Sequence, residues 1–193
     1  MVYQTGYQLL QEYRGYGLIL PPQEVAMALN STRELFVFEL GRTREMEVRA
    51  GHLFPRIADN VQNDALKRAL QAHARECHEQ GQNITACLNR LGSSPVGITS
   101  YMVDALRNTY QEIVHLNPPP HVLDLSVVDL AAGYAEHAAT RYRSLFDFAI
   151  SLGNQECGRL LLTNRSIKEA FIGRLRQFSV MLAHTEVESW AKL

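Results

Sequence analysis

Residues 128–152 read VDLAAGYAEHAATRYRSLFDFAISL. Val128, Ala131, Ala135, Ala138, Tyr142, Leu145, Ala149 and Leu152 recur at alternating steps of three and four. That spacing sets them on one face of a single helix, because an α-helix turns once in about 3.6 residues. The face is apolar throughout, and its middle is alanine, which lets a neighbouring helix approach closely. A bundle that holds two metal ions between carboxylates needs a Glu and a second ligand one turn apart on such an inward face. Here the central pair is Ala135 and Ala138. The stretch predicts a helical bundle and argues against metal chemistry within it.

Working outward, three further long stripes appear. Helix one is predicted over Arg33–Asn60, capped by Asn30, Ser31 or Thr32 with Glu34 in its first turn. Its inward residues are Leu40, Thr43 or Arg44, Glu47, Gly51, Phe54 and Ala58, with Ile57 and Val61 closing the end and Pro55 expected to kink it. Helix two runs from an Asp64 cap to Leu91 on Leu66, Leu70, His73, Cys77, Ile84, Leu88 and Leu91, and Gly92-Ser-Ser-Pro95 ends it. A shorter segment, Thr99–Leu116, carries Met102, Val103, Leu106, Tyr110 and Ile113, and Asn117-Pro-Pro-Pro120 forms a stiff crossover. Gly153-Asn154 stops the quoted helix. The last helix runs from Gln155 to Trp190 on Leu160, Asn164, Ile167, Phe171, Leu175, Phe178 and Leu182. Period-two alternation is nowhere sustained, so no strand is predicted. The fold class is all-α: a four-helix bundle with a long crossover and extra short helices, over residues 23–193. Ahead of it, residues 1–22 read as an arm, with Tyr3, Tyr7 and Leu10 on one stripe and Gly15, Gly17, Pro21 and Pro22 behind it. Such an arm has no core and is expected to lie on the bundle or on a neighbouring subunit. Gln23–Leu29 reads as a short helix.

The chain has 193 residues, 46% hydrophobic and 20% charged, which fits one domain with a sizeable core. With 19 basic and 20 acidic residues its net charge is -1. No global field draws it to nucleic acid or anionic lipid, so neither is an expected partner. No apolar run approaches the ~20 residues of a membrane span. Gln4, Gln8 and Gln11 argue against a signal peptide. Cys77, Cys87 and Cys157 are odd in number and form no CxxC pair, which fits buried thiols in a reducing cytoplasm better than a metal site.

Two stretches, ELGRTREMEVRAGHLFPRIADNV (39–61) and ALKRALQAHARECHEQGQNITACLNRLGSSP (65–95), carry a resemblance to a known family. The chain resembles the YciE/YciF-type branch of the ferritin-like superfamily over roughly residues 33–182. The shared features are Glu47 ahead of Phe54-Pro55, His73 followed by Glu76, Leu91-Gly92 with Pro95, and Glu136-His137 before Tyr142 and Leu152-Gly153. The resemblance implies a ferritin-like bundle, a dimeric assembly and a link to stress responses. It also locates the departures. With Tyr142 and Gly153 setting the register, the family's acidic positions on the third core helix fall on Ala135 and Ala138. Glu136-His137 is then turned about 100° away. On the last helix the acidic positions fall on Thr163 and Ile167. Arg44, one turn before Glu47, is placed to neutralise that carboxylate.

Each surviving residue also has a bland reading. Glu47 fits a buried ion pair with Arg44, or a hydrogen bond to His73, better than a lone metal ligand. His73 and Glu76 fit a satisfied polar patch. Glu136-His137 fits the surface beside a complete alanine seam. The expectation is a cytoplasmic bundle without a cofactor, acting by self-association as a homodimer or by binding a protein partner, in a stress-related or regulatory role. The rival expectation is an oxidase or peroxidase holding iron or manganese through Glu47, Glu76, Glu136 and His137, with His73 behind them. A third is an apolar small-molecule binder whose ligand fills an emptied core.

Overall fold

The computed structural model describes residues 29–94 and 100–190, with side chains as far as residue 183. The predicted arm and all but the last residue of the predicted 23–29 helix lie outside these. Among the described residues the regular structure is helical: α1 (Thr32–Ala58), α2 (Asp64–Arg90), α3 (Tyr101–His115), α4 (Pro120–Ser151) and α5 (Gln155–Trp190). None is long and apolar enough to cross a membrane.

Local chemistry sets the ends. Ser31 Oγ accepts the Glu34 N–H at 3.2 Å, and Glu34 Oε2 reaches back to the Asn30 N–H at 2.7 Å, a reciprocal cap for α1. Pro55 is exposed and α1 continues past it to Ala58. The cap of α2 is Asn63, one residue before the predicted Asp64: its Oδ1 accepts the Leu66 N–H at 2.9 Å. The buried Asp124 carboxylate of α4 decides this, accepting the N–H groups of Gln62 and Asn63 at 3.1 and 2.9 Å and holding that turn extended. Gly92 and Gly153 take φ of +66° and +71°, where a side chain is strained. Each closes its helix with paired bonds, Ser93 N–H to Leu88 O and Gly92 N–H to Asn89 O, then Asn154 N–H to Ala149 O and Gly153 N–H to Ile150 O. Asn117 adopts φ +47°, and Pro120 sits at the first turn of α4, where its missing N–H costs nothing.

Most inter-helix contact lies within two antiparallel hairpins, α1–α2 and α4–α5. They dock with α1 on α4 and α2 on α5. Phe36 meets Phe148 near one end of the α1–α4 seam while Asp124 meets the 62–63 turn at the other, so these helices are antiparallel. Residues 73, 80 and 87 of α2 face 171, 164 and 157 of α5, so that pair is antiparallel too. It follows that α2 and α4 run the same way, and the chain must travel back along the bundle between them. The 27 residues of α2 span about 40 Å. α3 makes that return, held to α1 where Arg49 donates to Ser100 O at 2.9 Å and pairs with Asp104.

The opening stripe is the inner face of α4: Val128, Ala131, Ala135, Ala138, Tyr142, Leu145 and Ala149 are buried, and Leu152, at the C-cap, is 38% exposed. On α5 the prediction needs correcting. Leu161, Asn164, Lys168, Phe171 and Leu175 face inward. Leu160 and Ile167 are half-buried and Thr163 is exposed.

Candidate functional site

The middle of an apolar bundle should contain no charge, because moving an ion out of water costs several kcal/mol. This bundle holds two there. Lys168 of α5 and Glu47 of α1 both have 0% exposed side chains, and Nζ donates to Glu47 Oε2 at 2.8 Å. Polar neighbours surround both charges. Lys168 Nζ also donates to His73 Nε2 at 3.2 Å and to Cys77 Sγ at 3.4 Å, which engages its three hydrogens. It lies 4.8 Å from the centroid of the Tyr134 ring, close enough for a cation–π attraction. Glu47 in turn accepts the Tyr134 hydroxyl on Oε2 at 2.8 Å and the Tyr142 hydroxyl on Oε1 at 2.9 Å.

The network continues outward. His73 Nε2 faces an ammonium that can only donate, so Nδ1 carries the imidazole proton and gives it to Glu76 Oε2 at 2.6 Å. Arg174 Nη2 then clamps Glu76 at 3.0 and 3.2 Å, and the Arg174 side chain is 41% exposed. The line Glu47–Lys168–His73–Glu76–Arg174 thus alternates in charge about one neutral imidazole and runs from the bundle centre to water. Phe171 stacks on His73 with ring centroids 3.6 Å apart, and Phe54 closes the cluster edge-on to His73, Tyr134 and Phe171.

Electrostatics agree with these assignments. Burial, reinforced by Lys168, lowers the His73 pKa from 6.5 to about 4, which keeps the ring neutral. Burial opposes the charge on Lys168, but the Cys77 sulfur and Glu47 carboxylate beside Nζ outweigh it and its pKa is raised. Glu47 is the charge responsible, since burial pushes the Cys77 thiol well up and holds it protonated. Burial also pushes the Tyr134 and Tyr142 phenols well above their ordinary range, and the nearby Cys77 and Glu47 add to this. Glu76 is held below the usual carboxylate range: burial works the other way, and its bond to His73 and the charge of Arg174 prevail.

The predicted site residues separate into two groups. Glu47, His73 and Glu76 share the network. Glu136 and His137 are exposed on the outer face of α4. Glu136 lies 3.8 Å from Arg176, and His137 lines a surface groove of about 350 Å³ with Arg42, Met46, Tyr101 and Arg141. The four residues of the iron or manganese expectation therefore do not converge. Among the described residues no three His, Cys, Asp or Glu side chains are placed to hold a metal ion. Where Glu47, His73 and Cys77 do converge, the occupant is an ammonium of the chain itself.

Two further corrections concern charge partners. Arg44 does not neutralise Glu47; its Nε donates to Thr85 Oγ1 at 2.8 Å, across the α1–α2 seam. Thr163 and Ile167 are not the inward pair of α5. That place belongs to Asn164, whose side-chain amide donates to Gln80 O at 3.2 Å, and to Lys168. Sequence reasoning missed Lys168 and the role of Tyr134. The available signal was the step of Leu161, Asn164, Lys168, Phe171 and Leu175 by three and four, read without requiring each to be apolar.

Comparison with known proteins places this geometry. A family model described as a domain of unknown function, DUF892, matches residues 31–188. No curated protein matches the chain. Among solved structures it is similar to YcfI of Rhodopseudomonas palustris, described as a proposed structural protein, with 22% identity, 79% of this chain and 97% of that one covered, and a TM-score of 0.75. It is similar also to the stress protein YciF of E. coli, at 18% identity, coverage of 80% and 98%, and a TM-score of 0.77. A protein of Xanthomonas campestris pv. campestris matches at 18% identity, 83% and 99% coverage, and a TM-score of 0.65. These identities carry the shared fold. The match of the family model along nearly the whole bundle carries the kinship, and the chain belongs to the DUF892 family.

Proposed function

We propose that this protein is a ferritin-like bundle without a metal centre, acting by association rather than catalysis, as a homodimer or with a protein partner, in a stress-related or regulatory role in the cytoplasm. One observation carries this reading. The point where Glu47, His73 and Cys77 converge is taken by the Lys168 ammonium, which meets their hydrogen-bonding demand at 2.8, 3.2 and 3.4 Å. A cation arriving there would have to displace a covalently tethered one. The alanine pair on α4 supplies no further ligand. The stress component rests on the likeness to YciF alone.

The test is metal content together with assembly state. The purified chain, dialysed, should carry less than stoichiometric iron or manganese by elemental analysis, and should sediment as a dimer. A retained pair of metal ions per chain would sink the reading and favour an oxidase or peroxidase. A metal-free monomer that captures no partner would remove the association half.

A further inference from the structure

The α2–α5 seam is built in layers one heptad apart. His73 stacks on Phe171. Seven residues on, the side-chain amides of Gln80 and Asn164 each donate to the other's backbone carbonyl at 3.2 Å. Seven more bring Cys87 opposite Cys157, and the pattern repeats: Cys87 Sγ lies 4.0 Å from Cys157 O, and Cys157 Sγ lies 3.8 Å from Cys87 O. A cysteine side chain is far shorter than a glutamine. For each sulfur to reach the opposite main chain, the two backbones must be close, as a disulfide requires. Each thiol aims its one hydrogen at the opposite carbonyl, so both sulfurs lie in the same seam between α2 and α5.

We propose that Cys87 and Cys157 are a dithiol that a peroxide converts to a disulfide inside the folded bundle, stapling α2 to α5. The inference does not depend on the functional reading above. The Cys157 thiolate attacks one oxygen of hydrogen peroxide; the O–O bond breaks, hydroxide leaves and takes up a proton as water, and Cys157 becomes a sulfenic acid. The Cys87 sulfur then attacks the Cys157 sulfur, the S–O bond breaks, and the leaving hydroxide takes the Cys87 proton as a second water. Two thiols are oxidised and one peroxide is reduced. Both cysteines are buried, and burial raises the pKa of each thiol, so attack needs an opening. Position supplies it: Cys157 is the third residue of α5, and Cys87 is in the last turn of α2, where helices fray. Cys77 lies mid-helix on α2, with Lys168 and Tyr134 as its polar neighbours.

The experiment treats the full-length protein with hydrogen peroxide under native conditions, then alkylates it and measures intact mass and disulfide-linked peptides. The expected result is a loss of about 2 Da with a Cys87–Cys157 link, Cys77 still alkylated after unfolding, and a melting temperature higher by about 5–10 °C that reductant abolishes. Cys157→Ala and Cys87→Ala should each prevent the mass loss and the rise in melting temperature. Peroxide treatment that leaves the native protein at its reduced mass, while an unfolded sample cross-links, would overturn the proposal. A link through Cys77, or only between chains, would do the same.

Discussion

Glu47 and Arg49 stand two residues apart on α1, and each ties that helix to one far along the chain. Glu47 pairs with Lys168 of α5 and Arg49 with Asp104 of α3. Two residues on a helix point about 200° apart, so one side chain takes the bundle axis and the other its flank. Both side chains of the first pair are 0% exposed; those of the second are 26% and 28% exposed. The same chemistry then has a different energetic meaning. At the flank, water can solvate either partner left alone, and such a pair adds little. At the axis an orphaned ion keeps its neutral hydrogen-bond partners but has no counter-charge and no water, so the pair costs little only while it stays whole. The difference teaches that the central pair enforces one arrangement of α1, α2, α4 and α5 more than it adds net stability.

The sharpest way to break this comparison is Lys168→Ala. It leaves Glu47 buried without its counter-charge and should destabilise the fold by about 3–5 kcal/mol in urea unfolding. The double variant Glu47→Gln with Lys168→Met should recover much of that loss, because no ion is then left uncompensated. Additive losses in the two single variants would show that the pair is not coupled.

A change of pH probes the same network from the imidazole. His73 takes up a proton near pH 6.5 in an unfolded chain but only near pH 4 in the folded one. The unfolded state therefore binds the proton first, and stability should fall as pH drops from 6.5 towards 4, by about 3 kcal/mol over that window. His73→Gln should flatten this part of the stability profile relative to the parent chain. Identical slopes in the two proteins would mean that the imidazole already reaches water.

The smallest effect belongs to the flank. Arg49→Ala should cost about 1 kcal/mol or less, and added salt should shrink the difference further. A loss as large as that of Lys168→Ala would erase the distinction between axis and flank.

The four stripes, the crossover and the helix stops at Gly92 and Gly153 were legible in the sequence because each is a local signal: period, proline run or left-handed turn. The alanine centre of α4 was legible for the same reason. The middle of α5 was not. Hydrophobic periodicity assigns Ile167 to the inside because isoleucine is apolar, and so displaces Lys168, whose burial depends on a carboxylate 121 positions away. Arg44 failed in the opposite way. The i, i+3 rule puts it near Glu47 in sequence, but its side chain leaves the axis for Thr85 on the neighbouring helix. Glu47, His73 and Glu76 could be picked out as polar residues on or beside a buried stripe. What joined them came from the other half of the molecule.

The division into two hairpins has a consequence for how the chain reaches this state. Helices joined by a turn of a few residues meet quickly, since their contacts close short loops. Each hairpin, α1–α2 and α4–α5, can form in that way by itself. The seam between them cannot, because α3 and its flanking turns must first be laid along the bundle. Lys168 and Glu47 sit across that late seam, one in each hairpin. Their interaction is then largely absent from the folding transition state, and losing it should accelerate unfolding far more than it slows folding. The buried ion pair works as a latch, closing after the two halves have met and setting how long they stay together.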